Sequence, residues 1–107
     1  MKPQPKPKSW GQAIPIETGT GSAYYPQVAL DTAGDGICVW CQHDGTRFNI
    51  WANRFVPSTG WGSAIPIETE NTGDACSPQV AIDPTGNGIA VWYQYDGTSS
   101  IWANRYR

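Results

Sequence analysis

Pro26-Gln-Val-Ala-Leu-Asp-Thr-Ala-Gly-Asp-Gly-Ile-Cys-Val-Trp40 and Pro78-Gln-Val-Ala-Ile-Asp-Pro-Thr-Gly-Asn-Gly-Ile-Ala-Val-Trp92 are one stretch written twice. The repetition extends outward on both sides. Upstream, Trp10-Gly-Gln-Ala-Ile-Pro-Ile-Glu-Thr18 returns as Trp61-Gly-Ser-Ala-Ile-Pro-Ile-Glu-Thr69. Downstream, Asp44-Gly-Thr46 returns as Asp96-Gly-Thr98, and Ile50-Trp-Ala-Asn-Arg54 as Ile101-Trp-Ala-Asn-Arg105. The offset is 51 at both ends and 52 between them. One residue is gained before Pro78 and one is lost after Thr98, both in turns, where chain length costs little. A fixed internal period of this size defines the structural unit. The repeat units are residues 10–60 and 61–107, preceded by a leader of residues 1–9.

Each unit reads as four short strands; in the first copy these are Gln12–Glu17, Gln27–Asp31, Ile37–Gln42 and Asn49–Phe55. A period of two is the strand signature. In the third strand it sets Ile37, Val39 and Cys41 on one face and Cys38, Trp40 and Gln42 on the other. The connections carry turn chemistry. Asp31 and Asp83 lead glycine-containing turns in which an Asp side chain accepts backbone N–H bonds. Asp44-Gly45 and Asp96-Gly97 are hairpin signals. Pro15 and Pro66 lie inside the first strand of each copy. Proline cannot donate to a central ladder, so this strand belongs at a sheet edge.

Composition agrees with an all-β chain. The 107 residues include six Trp, twelve Gly and nine Pro, with only 15% charged residues. This length suits one ordinary domain at most. Residues 1–9 carry Lys2, Lys6 and Lys8 and no acid, and the remainder carries four Arg against nine acids. A body of that sign argues against a nucleic-acid partner, which demands a cationic face. The Lys/Pro leader has no core to fold into, and reads as an extended, disordered, solvated segment rather than an interaction arm. No apolar run approaches the length of a membrane span, and no secretory signal is visible.

Three cysteines, Cys38, Cys41 and Cys76, cannot all pair within one chain. Cys38 and Cys41 fall on opposite strand faces, which opposes a bond between them. The pair lacks a second ligand pair for zinc. It also sits in a strand, whereas a redox CxxC opens a helix. The second copy has Ala90 and Tyr93 at the matching places. These observations favour free, partly buried thiols.

Four antiparallel strands repeating at about 50 residues match the blade of a β-propeller. In that architecture Trp40, Trp51, Trp92 and Trp102 pack between blades. The expectation is two four-stranded antiparallel blades, completed into a closed ring by oligomerisation. One chain's first strand would complete the last blade of its neighbour, a heterologous contact that closes if the rotation allows. A trimer or tetramer would give six or eight blades. A small β-sandwich is the alternative, since eight short strands in about 100 residues suit one.

The run Pro-Gln-Val-Ala-Ile/Leu-Asp-x-x-Gly-Asn/Asp-Gly-Ile-x-Val-Trp, followed by Asp-Gly-Thr and Ile-Trp-Ala-Asn-Arg, resembles the blade repeats of bacterial β-propeller repeat proteins. It is loosely similar to sialidase-like Asp-box propellers. The resemblance covers Trp10 to Arg107 and implies a secreted or cell-surface bacterial setting. An Asp-box places its aromatic about five residues after the Asp, whereas Asp31 and Trp40, like Asp83 and Trp92, stand nine apart. No sialidase catalytic residue carries over.

Little in the sequence points to catalysis, a cofactor or a metal. The one histidine, His43, shares a strand face with Cys41, but the second copy has Tyr95 there and nothing orients the imidazole. Asp31 and Asp35 read as turn caps, without the ligand spacing of a calcium loop. A non-catalytic scaffold is therefore the leading expectation, with a multivalent carbohydrate-binding propeller second and a glycosidase-like fragment a distant third. Repeated weak sites gain avidity, which suits glycan recognition. The candidate ligand groups are Tyr24, Tyr25, Tyr95, Asn53, Asn104, Arg54 and Arg105, with Trp10 and Trp61 as further exposed aromatics. Asn53 and Asn104 read better as ties to neighbouring strands.

Overall fold

The computed structural model describes residues 7–70 and 72–107. Most of the leader, residues 1–6, lies outside the described residues; Pro7, Lys8 and Ser9 are exposed and carry no regular structure. The described chain is all-β, with strands β1 (Ala23–Leu30), β2 (Gly36–His43), β3 (Phe48–Val56), β4 (Gly60–Trp61), β5 (Ile65–Pro66), β6 (Asp74–Ile82), β7 (Gly88–Tyr95) and β8 (Ser99–Tyr106). They form two antiparallel sheets. The first has the order β1-β2-β3-β4, with β5 also on β3, and the second the order β6-β7-β8.

The inner strands follow from the alternation in the sequence. Ile37, Val39 and Cys41 lie opposite Arg54, Ala52 and Ile50, so these six side chains share a face. Trp40 lies opposite Trp51 on the other face, and Trp92 opposite Trp102 in the second sheet. The turn aspartates act as expected. Asp31 Oδ1 accepts the N–H groups of Ala33 at 2.8 Å and Asp35 at 3.0 Å. Asp83 Oδ1 accepts those of Thr85 at 2.9 Å and Asn87 at 3.0 Å.

Three departures have physical reasons. The first strand of each copy is not part of that copy's own sheet. Residues 12–17 form no strand, and their counterparts 63–68 form only the short piece β5, which, like β4 just before it, pairs with β3. A proline-bearing edge segment needs a finished strand beside it, and among the described residues only the segment of the second copy has one, β3. The second sheet is accordingly three-stranded rather than four-stranded.

The second strand of each copy also starts earlier than the sequence suggests, at Ala23 and Asp74, because the ladder continues through a bulge. Tyr25 (φ 57°) and Ser77 (φ 54°) adopt left-handed conformations there, each directly before a proline. The bulge lets Pro26 and Pro78 sit in a strand without owing a ladder N–H.

The third departure concerns the thiols. Cys41 and Cys76 form a disulfide with a Cα–Cα distance of 5.1 Å, leaving Cys38 free and buried. The bond joins the two sheets, and no spacing in the sequence announces it, because each partner is tyrosine in the other copy (Tyr93 and Tyr24).

The core sits between the sheets. Ile37, Val39, Cys41, Ile50 and Ala52 from the first meet Ala75, Cys76, Ala90 and Trp92 from the second. Gly21 and Gly73 admit the chain to β1 and β6. A Cβ on Gly21 would lie 1.7 Å from the His43 carbonyl oxygen, and one on Gly73 1.4 Å from that of Tyr95.

The disulfide closes a loop with a sequence separation of 35. Replacing both Cys41 and Cys76 by Ser should cost about 4 kcal/mol in urea unfolding by the loop-entropy relation. An unchanged unfolding midpoint would show that the sheets hold together without it.

Candidate functional site

The seam between the two sheets carries the chain's most specific polar contacts. Residues 61–68 run along it and are held from both sides. On one side the backbone completes the first sheet: Gly62 N donates to Arg54 O at 2.9 Å, and Ile67 N to Ile50 O at 2.8 Å. On the other side Asn104 Nδ2, from β8, donates to Ile67 O at 2.9 Å. The repeat places Asn53 and Ile16 in the same relation, with Asn53 Nδ2 donating to Ile16 O at 2.9 Å. Residues 10–17 thus have the side-chain tie and lack the backbone ladder.

A second device fastens the connection that follows each such segment. Trp40 Nε1 donates to Gln42 Oε1 at 2.9 Å, and Gln42 Nε2 donates to Thr18 O at 2.7 Å and Glu17 Oε2 at 3.2 Å. In the second copy Trp92 Nε1 donates to Gln94 Oε1 at 3.2 Å, and Gln94 Nε2 donates to Glu70 O. A buried Trp N–H and a buried amide satisfy each other and anchor a backbone carbonyl at the same time. Trp40 and Trp92, each 3% exposed, are therefore structural, Trp92 at the seam and Trp40 on the face of the first sheet turned away from it, whereas Trp51 is half-buried and Trp102 is 37% exposed.

Four of the expected ligand groups converge. Asn53, Arg54, Asn104 and Arg105 line a cleft of about 270 Å³ between the sheets, together with Tyr106 and Ile65. Both Asn amides are engaged by the carbonyls just described. Arg54 reaches Asp35 at 3.6 Å, and its guanidinium lies 5.0 Å from the centre of the Tyr106 ring. The expected tyrosines lie apart from this cleft. Tyr24 and Tyr25 are exposed on β1, with Tyr24 5.9 Å from Phe48 edge to face, and Tyr95 is exposed at the end of β7. Trp10 is 99% exposed, while its counterpart Trp61 packs edge-on against Phe55 at 5.5 Å.

The conceivable thiol–imidazole pair is absent, because Cys41 is in the disulfide. His43 Nδ1 accepts the Gly45 N–H at 3.0 Å and so belongs to the hairpin. The Cys38 thiol is pushed up by burial. Asp44 is drawn down to about 2 by the N–H groups of Arg47 and Thr46 and by Asn49, which marks it as a hairpin cap held ionised. Asp83 is lowered by its bonds to Thr85 and Asn87. Burial raises Glu68. Among the described residues no three His, Cys, Asp or Glu side chains group as metal ligands.

The two faces of β7 differ. The face towards the first sheet buries Ala90, Trp92 and Gln94; the opposite face leaves Ile89 53%, Val91 36% and Tyr93 39% exposed. Sequence reasoning missed this face, although the signal was present: its residues match Ile37, Val39 and Cys41, which are buried in the first copy.

The chain was compared with protein-family models, curated proteins and solved structures, and no match was found in any of the three.

Gln94→Leu should leave the Trp92 N–H without its acceptor and the Glu70 carbonyl without its donor. The expected cost is about 1–3 kcal/mol in denaturant unfolding. A neutral result would show that the Trp–Gln–carbonyl relay does not hold the seam.

Proposed function

We propose that this chain is a non-catalytic β-propeller unit of two blades that associates head to tail with further copies of itself, acting as a structural scaffold. One observation carries the reading. The apolar face of β2 is covered by the second sheet, while the repeat-equivalent face of β7, with Ile101 of β8 at 77% exposure, is open. A self-contained sandwich would turn polar residues outward on both sheets. Here the outward faces carry Ile89, Val91 and Ile101 on one side and Val28 (62% exposed) and Leu30 (65% exposed) on the other. Exposed apolar surface beside unpaired strand edges marks an interface.

In this reading residues 10–17 of one copy lie along β8 of the next, as residues 61–68 lie along β3. The repeat fixes the register. Gly11 N donates to Arg105 O and Ile16 N to Ile101 O, and Trp10 packs on Tyr106 as Trp61 packs on Phe55. Three or four copies give six or eight blades, within the usual range for propellers.

Carbohydrate binding is the second reading, favoured by the cleft that gathers Asn53, Arg54, Asn104 and Arg105 beside an aromatic ring. A closed ring would present that cleft several times, giving avidity from weak sites. A glycan array probed with the assembled protein tests it, and absence of any binding sugar would leave the scaffold role alone.

Hydrogen exchange tests the exchanged strand. The Gly11 and Ile16 amides should exchange about 100-fold or more slower than in an unstructured peptide. Ile101→Asp, an exposed position in the isolated chain, should return both to fast exchange without disturbing the amides of β2. Fast exchange at Gly11 and Ile16 in the unsubstituted protein would rule out strand exchange.

A further inference from the structure

Inside the chain the two sheets meet with Cys41 of β2 against Cys76 of β6, bonded at a Cα–Cα distance of 5.1 Å. The repeat carries Cys41 onto Tyr93 and Cys76 onto Tyr24. The ladder registers agree, since Tyr24 faces Cys41 across β1 and β2, and Cys76 faces Tyr93 across β6 and β7. The same four positions thus occur twice, with the cysteines bonded across the inner seam and the tyrosines left exposed.

Resting on the head-to-tail reading above, we infer that Tyr93 of one copy seats against Tyr24 of the next, so that an aromatic pair occupies between chains the position the disulfide occupies within them. Three further observations bear on this. Tyr24 is 48% and Tyr93 39% exposed, although both sit at positions whose counterparts, Cys76 and Cys41, are 8% and 0% exposed. Val28 and Leu30 are exposed, whereas their counterparts Val80 and Ile82 pack against the core. Tyr25 offers an internal contrast: its counterpart Ser77 is exposed as well, so this position lies off the seam in both copies.

The substitution of tyrosine for cysteine has a mechanical consequence. The seam within each chain is covalently closed, and the seam between chains is held without a covalent bond, by the strand ladder and by apolar and aromatic contact. Two tyrosines supply large contact area at modest entropic cost, with edge-to-face geometry available. Dilution therefore separates whole two-blade units from one another and leaves each unit joined. Placing cysteines at the tyrosine positions would reproduce the inner seam's covalent lock between copies, because the backbone relation at the two seams is the same.

The test is the double variant Tyr24→Cys/Tyr93→Cys, oxidised with glutathione disulfide and run on a non-reducing denaturing gel. The expected result is a ladder at multiples of 11.7 kDa that ends at the closed ring. Each single variant should give no ladder, because in a head-to-tail contact like residues never meet. If the double variant elutes at the assembled size and gives no ladder, the seam register is wrong while head-to-tail association stands. If the unsubstituted protein elutes as single chains, the reading beneath the inference fails as well. A measurement that does not depend on the double variant folding uses Tyr93→Lys and Tyr25→Lys. Tyr93→Lys should raise the concentration at which the assembly dissociates about tenfold or more, and Tyr25→Lys should leave it unchanged. Equal effects of the two would overturn the assignment.

Discussion

Everything in this structure hangs on how the segment Trp61–Glu68 is held. Its backbone completes the first sheet through Gly62 and Ile67, and its Ile67 carbonyl is gripped by Asn104 from the second. One short proline-bearing stretch is therefore an edge strand to one sheet and a docking rail for the next. The two sheets are mated with their apolar faces together as a result, and Cys41 is brought to Cys76. The Gly62 and Ile67 N–H groups and the Ile67 carbonyl of the rail are thus satisfied from both sheets.

The same rule makes the chain asymmetric. Residues 10–17 are the same rail, gripped by Asn53 through Ile16 O, but among the described residues no strand lies beside them for them to complete. Among the described residues β8 is the matching strand, with no rail alongside it. A repeat whose unit of sequence and unit of sheet are out of phase leaves one half-made contact at each side. The proposed association joins these halves, and the apolar faces of β1 and β7 meet in the same operation. Scaffold and ligand-binding readings share this geometry, since the cleft at Asn53, Arg54, Asn104 and Arg105 is a property of the seam.

Much of the fold was legible in the sequence, for definite reasons. Alternation in Ile37–Gln42 and its copy gave the inner strands and their faces. Asp31, Asp44, Asp83 and Asp96 with their glycines gave the turns. Pro66 marked an edge segment, whereas the equivalent residues 12–17 around Pro15 form no strand, because the ordering of that segment depends on what it finds beside it, which local pattern does not encode. The bulges at Tyr25 and Ser77 were hidden because a residue before proline reads as extended, and a left-handed conformation there is a tertiary choice. The disulfide was hidden for a related reason. Its partners occupy different positions in the repeat unit, so comparing the copies presents each cysteine as a lone departure from tyrosine. Of the candidate site, Asn53 and Asn104 were readable as strand ties and Trp40 and Trp92 as buried. The open face of β7 required knowing which side of the repeat was covered.

The central claim is that the open faces and the unladdered rail are two halves of one contact between copies. The solution mass, measured by light scattering across a size-exclusion peak, tests it most directly. The account predicts a discrete species of three or four chains of 11.7 kDa. A well-folded species with the mass of one chain, persisting at the highest concentrations measured, would contradict it.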